Sequence, residues 1–95
     1  MDTAGFRSFL EEDPEISSEK AIASRILKLE DAEKILGRDA DEIVESDDLM
    51  YASLTEIRNH EDTAHNPRQN AMRKYYAFRT GKEFPRLKDY ENMPH

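Results

Sequence analysis

The sequence predicts a single all-α domain, a compact bundle of four or five helices. Three observations predict it. Apolar residues recur three and four positions apart along most of the chain. Helix-capping residues and glycines punctuate that pattern. No segment alternates apolar and polar residues as a half-buried strand does, which excludes the common β-rich binding modules. The 95 residues suffice for about one domain with one core. Apolar and charged residues each make up 37% of the chain, and the apolar share falls in stripes, so the composition favours folding over disorder.

The elements follow in order. Phe6, Phe9 and Leu10 mark a short helix over residues 4–12. It stops at Asp13, because Pro14 disfavours a helical conformation in the residue before it. Ser17 or Ser18 caps a second helix, and Glu19 suits the positive end of its dipole. Ile22, Ile26, Leu29 and Leu36 share its inner face, and Gly37 ends it. Asp39 and Glu42 form a capping-box-like pair for a short turn through Val44.

Ser46 opens the next helix, with Met50, Leu54 and Ile57 on one side. Asn59 to His65 reads as a loop. In Asn66-Pro67-Arg68-Gln69, Asn66 is the expected N-cap, Pro67 fits the first helical position and Gln69 returns a bond to the cap. The last helix buries Ala71, Met72, Tyr75 and Phe78 and closes at Gly81. Pro85 and Pro94 frame the end of the chain. Residues 88–95 are expected to be an extended tail, with the folded domain over residues 1–87.

Composition narrows the chemistry. With no cysteine, the chain has no disulfide, thiol nucleophile or thiolate metal site. No apolar run approaches the ~18 residues of a membrane span, and residues 1–10 lack the pattern of a signal peptide. A cytoplasmic protein is expected. Three glycines leave no phosphate-cradling loop. Glu11-Glu12 and Asp47-Asp48 sit at helix ends, where acidic residues serve caps and dipoles. His60, Glu61, Asp62 and His65 cluster before the last helix. They lack a clear fourth ligand nearby, so a solvated loop is the preferred reading over a metal site. No catalytic constellation and no cofactor are expected.

The net charge of −7 hides an asymmetry. Residues 1–63 carry 18 acidic and 7 basic side chains, and residues 64–95 carry 3 and 7. On a wheel of about 100° per residue, the last helix turns Gln69, Asn70, Arg73, Lys74 and Ala77 away from the Tyr75 face. Cations and amides beside a small residue suit phosphates and base edges. The second helix turns Lys20, Ser24, Leu27, Lys28 and Asp31 outward, a mixed face.

The order of these elements resembles a known family. It runs from Phe6-Arg7-Ser8-Phe9-Leu10, through Ile16-Ser17-Ser18 opening a long helix and the Asp-Ala-Asp-Glu-Ile-Val turn of residues 39–44, to the helix from Ser46-Asp47-Asp48. Asn70-Ala71-Met72-Arg73-Lys74-Tyr75-Tyr76-Ala77-Phe78 comes last, followed by Gly81 and Phe84-Pro85-Arg86-Leu87. Over residues 4–87 this resembles the N-terminal SAM-like, or core-binding, domain of phage integrases and other tyrosine recombinases.

The resemblance implies a bundle that clamps one side of double-stranded DNA with its long early helix and its last helix, serving DNA recombination and integration. By position, the contacts would be Lys20, Ser24 and Lys28, then Gln69, Asn70, Arg73 and Lys74. The family's chemistry lies in a separate catalytic domain that this chain does not contain, so no enzyme activity is implied here. Tyr75 and Tyr76 are not the family's nucleophile, because Tyr75 lies on the core face and Tyr76 on its flank.

The acidity of residues 1–63 supports a second expectation. Phosphate neutralisation supplies much of the affinity for DNA, and an acidic surface opposes it. The alternative is a free-standing acidic interaction module, a phage or mobile-element regulator that binds a basic protein partner. Glu30, Asp31 and Glu33 would then be among its contacts. Neither reading involves a membrane or a small-molecule substrate.

Overall fold

Among the described residues, every helix but the last begins where a side chain accepts a free backbone amide. The computed structural model describes residues 1–16, 18–61 and 65–94. Its helices are α1 (Thr3–Glu11), α2 (Glu19–Leu36), α3 (Ala40–Val44), α4 (Asp47–Arg58), α5 (Pro67–Thr80) and α6 (Leu87–Glu91). The fold is all-α, with six helices among the described residues rather than four or five, and two of them span five residues each.

Capping explains most boundaries. Asp2 accepts the Gly5 amide and starts α1. Ser18 accepts the Ala21 amide at 3.1 Å and starts α2, while Ser17, the alternative cap, lies outside the described residues. Ser46 does the same for α4 through Leu49. Gly37 and Gly81 end α2 and α5 in the left-handed conformation, at φ of 65° and 76°, where a Cβ would be strained.

Two helices, α3 and α5, recruit an acceptor from outside their own cap residue. Asp39 accepts the Asp41 amide at the start of α3, and Glu33, near the end of α2, accepts the Ala40 amide at 2.7 Å. The start of α5 differs from the sequence expectation. Asn66 is left-handed, with φ of 48°, and its side chain makes no cap bond. The Glu61 carboxylate takes that role, accepting the amides of Arg68 at 2.8 Å and Gln69 at 3.2 Å. A carboxylate is a stronger acceptor than a carboxamide and also suits the positive end of the helix.

The core lies where α1, α2, α3 and α4 close around α5, and α2 and α5 share the largest contact. Phe6, Leu10, Leu29, Ile43, Leu54, Ile57, Met72 and Tyr75 have no solvent exposure. Phe6 meets the Tyr75 ring edge-on at 5.1 Å, and Phe78 packs against both. Burying one such side chain contributes roughly 1.5–3 kcal/mol. Gly5 makes this approach feasible, since a Cβ there would fall 2.8 Å from the Phe78 ring and 2.3 Å from the Asp2 carboxylate that caps α1.

Residues 88–91, expected to be extended, belong instead to α6, which starts at Leu87. Leu87 and Tyr90 are buried. Tyr90 stacks on Tyr51 at 5.1 Å and lies beside Phe84, and its hydroxyl donates to Asp48. The apolar surface of two residues, one turn apart, outweighs the breaker signal of the flanking prolines.

All four tyrosines donate to carboxylates: Tyr75 to Asp41, Tyr76 to Asp47, Tyr90 to Asp48 and Tyr51 to Glu91. Burial and the Asp47 carboxylate push the Tyr76 hydroxyl up to about 12, and the Asp48 carboxylate with burial does the same for Tyr90. Burial, then Asp41, also raises Tyr75. The ordinary value is about 10. A folded value above the unfolded one contributes stability in full below pH ~10, and that stability is lost as pH rises through the folded value near 12. Tyrosinate absorbance is therefore expected to emerge together with loss of helical circular dichroism between about pH 10 and 12. Half-titration near pH 10 with the helices intact would contradict this.

Candidate nucleic-acid interface

The pairing of α2 with α5 leaves a shallow furrow on the side of α5 away from the core. Its larger part is lined by Arg25, Asn70, Arg73, Lys74 and Ala77 together with Glu15, Glu83 and Phe84. An adjoining hollow is lined by Ser24, Arg25, Lys28, His65, Pro67 and Asn70. Arg25 and Asn70 line both, so the two form one continuous surface. Five of the seven residues expected at DNA meet there: Ser24 and Lys28 from α2, and Asn70, Arg73 and Lys74 from α5. Lys20 is exposed one turn earlier on α2, outside the furrow lining.

The furrow is not a row of free cations. Arg73 Nη1 donates to the Phe84 and Pro85 carbonyls at 2.9 and 3.1 Å, and its guanidinium lies over the Phe84 ring. Burial lowers its pKa from the ordinary value, which opposes the charge. Arg73 therefore fastens the chain after α5 to that helix. Lys74 Nζ meets Asp13 Oδ2 at 2.5 Å. Asn70 remains exposed, and its amide donates to the His65 carbonyl at 2.7 Å.

Gln69 is a correction. Expected on the outer face, it is 7% exposed. It lies two turns before Tyr76 and thus shares its flank of α5. That flank is drawn inward, because Tyr76 bonds Asp47 and packs edge-on against Phe84. Gln69 therefore cannot read a base edge from this position.

Arg25 was not among the expected contacts, yet it lines both parts of the furrow. It sits beside Ile26, at the edge of the apolar stripe, where a wheel assigns a residue to neither face. The available signal was the residue type, since an arginine stem can run along apolar surface and present its head at the rim.

Part of the acidic stretch lies away from the furrow, although Glu15 lines it. Asp41 and Asp47 bond Tyr75 and Tyr76, which point about 160–200° and 60–100° away from Arg73 and Ala77 around α5. Among the carboxylates of residues 39–48, Asp41 thus lies across that helix from the furrow and Asp47 on its flank. Most also have internal partners: Asp39 and Glu42 pair with the terminal ammonium and Arg38, and Asp48 with Tyr90.

The His60–His65 cluster does not converge. Glu61 turns inward to cap α5, His60 lies 3.4 Å from Glu56, and Asp62 is outside the described residues. Among the described residues, no three histidine or carboxylate side chains are grouped to hold a metal. No described helix is long and apolar enough to cross a membrane. No protein-family model, curated protein or solved structure matches this chain.

Proposed function

We propose that this chain is a DNA-binding module of the core-binding type, which lays the α2–α5 furrow along the phosphate backbone of duplex DNA. In this reading it serves recombination or integration beside a catalytic domain carried elsewhere. One observation carries the proposal. Side chains chosen on two separate helices, Ser24 and Lys28 on one and Asn70, Arg73 and Lys74 on the other, meet on a single surface. Arg25 adds a further cation there. The placement of Asp41 across α5 and of Asp47 on its flank adds support, because it moves part of the net charge of −7 off a surface where Glu15 and Glu83 remain.

The contacts divide by their internal partners. Lys20, Lys28 and Arg25 have no hydrogen bond or ion pair to a carboxylate among the described residues and are the leading phosphate ligands. Ser24 and Asn70 supply neutral donors. Arg73 acts chiefly by holding residues 84 and 85 in place. The acidic interaction reading is weaker in this geometry, since Glu33 caps α3 and Asp31 lies 3.8 Å from Arg68.

Titration of labelled random duplex at low and physiological salt tests the proposal. Binding is expected at low salt and should fall steeply as salt rises. Lys20→Gln with Lys28→Gln should weaken it and flatten the log–log salt slope by ~0.9 per lost phosphate contact, with circular dichroism unchanged. A double variant that binds like the parent would remove these residues from the interface. Absence of binding at low salt would transfer the function to a basic protein partner.

A further inference from the structure

Asp13 and Lys74 are 61 positions apart in the chain and meet at 2.5 Å on the furrow wall. The Asp13 side chain is only 12% exposed. Its second oxygen accepts the Glu15 backbone amide at 2.9 Å. Arg25 acts on the same carboxyl through its charge and lines the furrow beside Lys74. Lys74, with the Glu15 amide, holds the Asp13 carboxyl below its usual range. An ammonium, a backbone N–H and a neighbouring guanidinium are the donors by which proteins hold a DNA phosphate.

We propose that Asp13 is an internal surrogate for phosphate, filling a phosphate subsite formed by Lys74, Arg25 and the Glu15 amide, and that it thereby restrains the affinity of the furrow for DNA. The inference rests on the DNA-binding reading of the furrow. An incoming phosphate gains Lys74 only by breaking the Asp13 pair, so the two contacts largely offset each other. The strand nearest Lys74 also meets the Asp13 charge if the pair stays closed. The position of Asp13 makes exchange feasible, because it lies in the connection between α1 and α2 rather than inside a helix.

Asp13→Asn tests this while keeping the turn. The asparagine side-chain oxygen still accepts the Glu15 amide, and only the charge is removed. Labelled random duplex is titrated at several salt concentrations with the parent chain, Asp13→Asn and Glu45→Gln. Glu45 is an exposed carboxylate outside the furrow lining, so its substitution makes the same change in net charge without altering that lining. Asp13→Asn is expected to bind roughly three- to tenfold more tightly at low salt. Its salt slope should steepen by ~0.9, the signature of one added phosphate contact. Glu45→Gln should change affinity less than twofold (about 0.4 kcal/mol). Adding Lys74→Gln to Asp13→Asn should abolish the gain.

If the parent binds and Asp13→Asn gains no more than Glu45→Gln, the surrogate role is overturned and the DNA reading stands. If neither the parent nor Asp13→Asn binds at low salt, the DNA reading falls, and this inference with it. Circular dichroism of each variant establishes that the helices are retained in the comparison.

Discussion

Truncation of Tyr75 to alanine is expected to remove about 3–5 kcal/mol of stability, the largest loss from any single side chain of α5. Tyr75 has no exposure and sits where α1, α3 and α5 meet. Its ring meets Phe6 edge-on and packs against Phe78, so deletion leaves a void lined by two aromatic rings. Its hydroxyl accepts the Asp2 amide at 2.7 Å and donates to Asp41, tying the start of α1 and the first turn of α3 to α5. A domain of this length has a total stability of roughly 5–14 kcal/mol, so the variant should retain little margin. Urea unfolding followed by circular dichroism measures the shift. Tyr75→Phe separates the two contributions. It keeps the packing but leaves the Asp2 amide and Asp41 without that partner, so a loss of about 1–3 kcal/mol is expected. An alanine variant within 1 kcal/mol of the parent would mean that the core closes without this ring.

The contrast between Tyr75 and Tyr76 shows what a single sequence reveals. Tyr75 falls at the centre of the apolar stripe, and periodicity alone assigns it to the core. Tyr76 falls on the flank, and its burial depends on a partner from α4, Asp47, 29 positions away. Local periodicity carries no information about that partner. The same limit misplaces Gln69, which follows Tyr76 inward by its two-turn spacing.

Arg73 and Lys74 were legible as outward on α5 and remain on the furrow. Their bonds to Phe84, Pro85 and Asp13 are long-range facts, and these determine how free each charge is. The caps of α2 and α4 were legible because Ser18 and Ser46 accept amides within three residues. The cap of α5 was not, because its acceptor stands outside the local pattern. For α6, the two prolines gave a strong local signal, while the stacking surface on Tyr51 lay on another helix.

That unlocal cap makes Glu61→Ala the second large effect, with an expected loss of about 2–3 kcal/mol. Glu61 Oε1 accepts two amides in the first turn of α5, Arg68 and Gln69. Its side chain is 2% exposed, and Oε2 lies 3.6 Å from Arg68 Nη1. Removing one cap acceptor costs about 0.5–2 kcal/mol. The remainder arises because the Arg68 guanidinium, 23% exposed, would keep only the longer approach to Asp31 at 3.8 Å. Glu61→Gln retains an acceptor for the amides but loses the charge, so it should fall between the parent and the alanine variant. Asn66→Gly supplies the contrast. Asn66 is the formal cap residue, yet its side chain caps nothing and its φ of 48° suits glycine. That substitution should be neutral or stabilising by a few tenths of a kcal/mol. A ranking with Asn66→Gly worse than Glu61→Ala would return the cap to Asn66 and leave Glu61 as an ordinary member of the connection before α5.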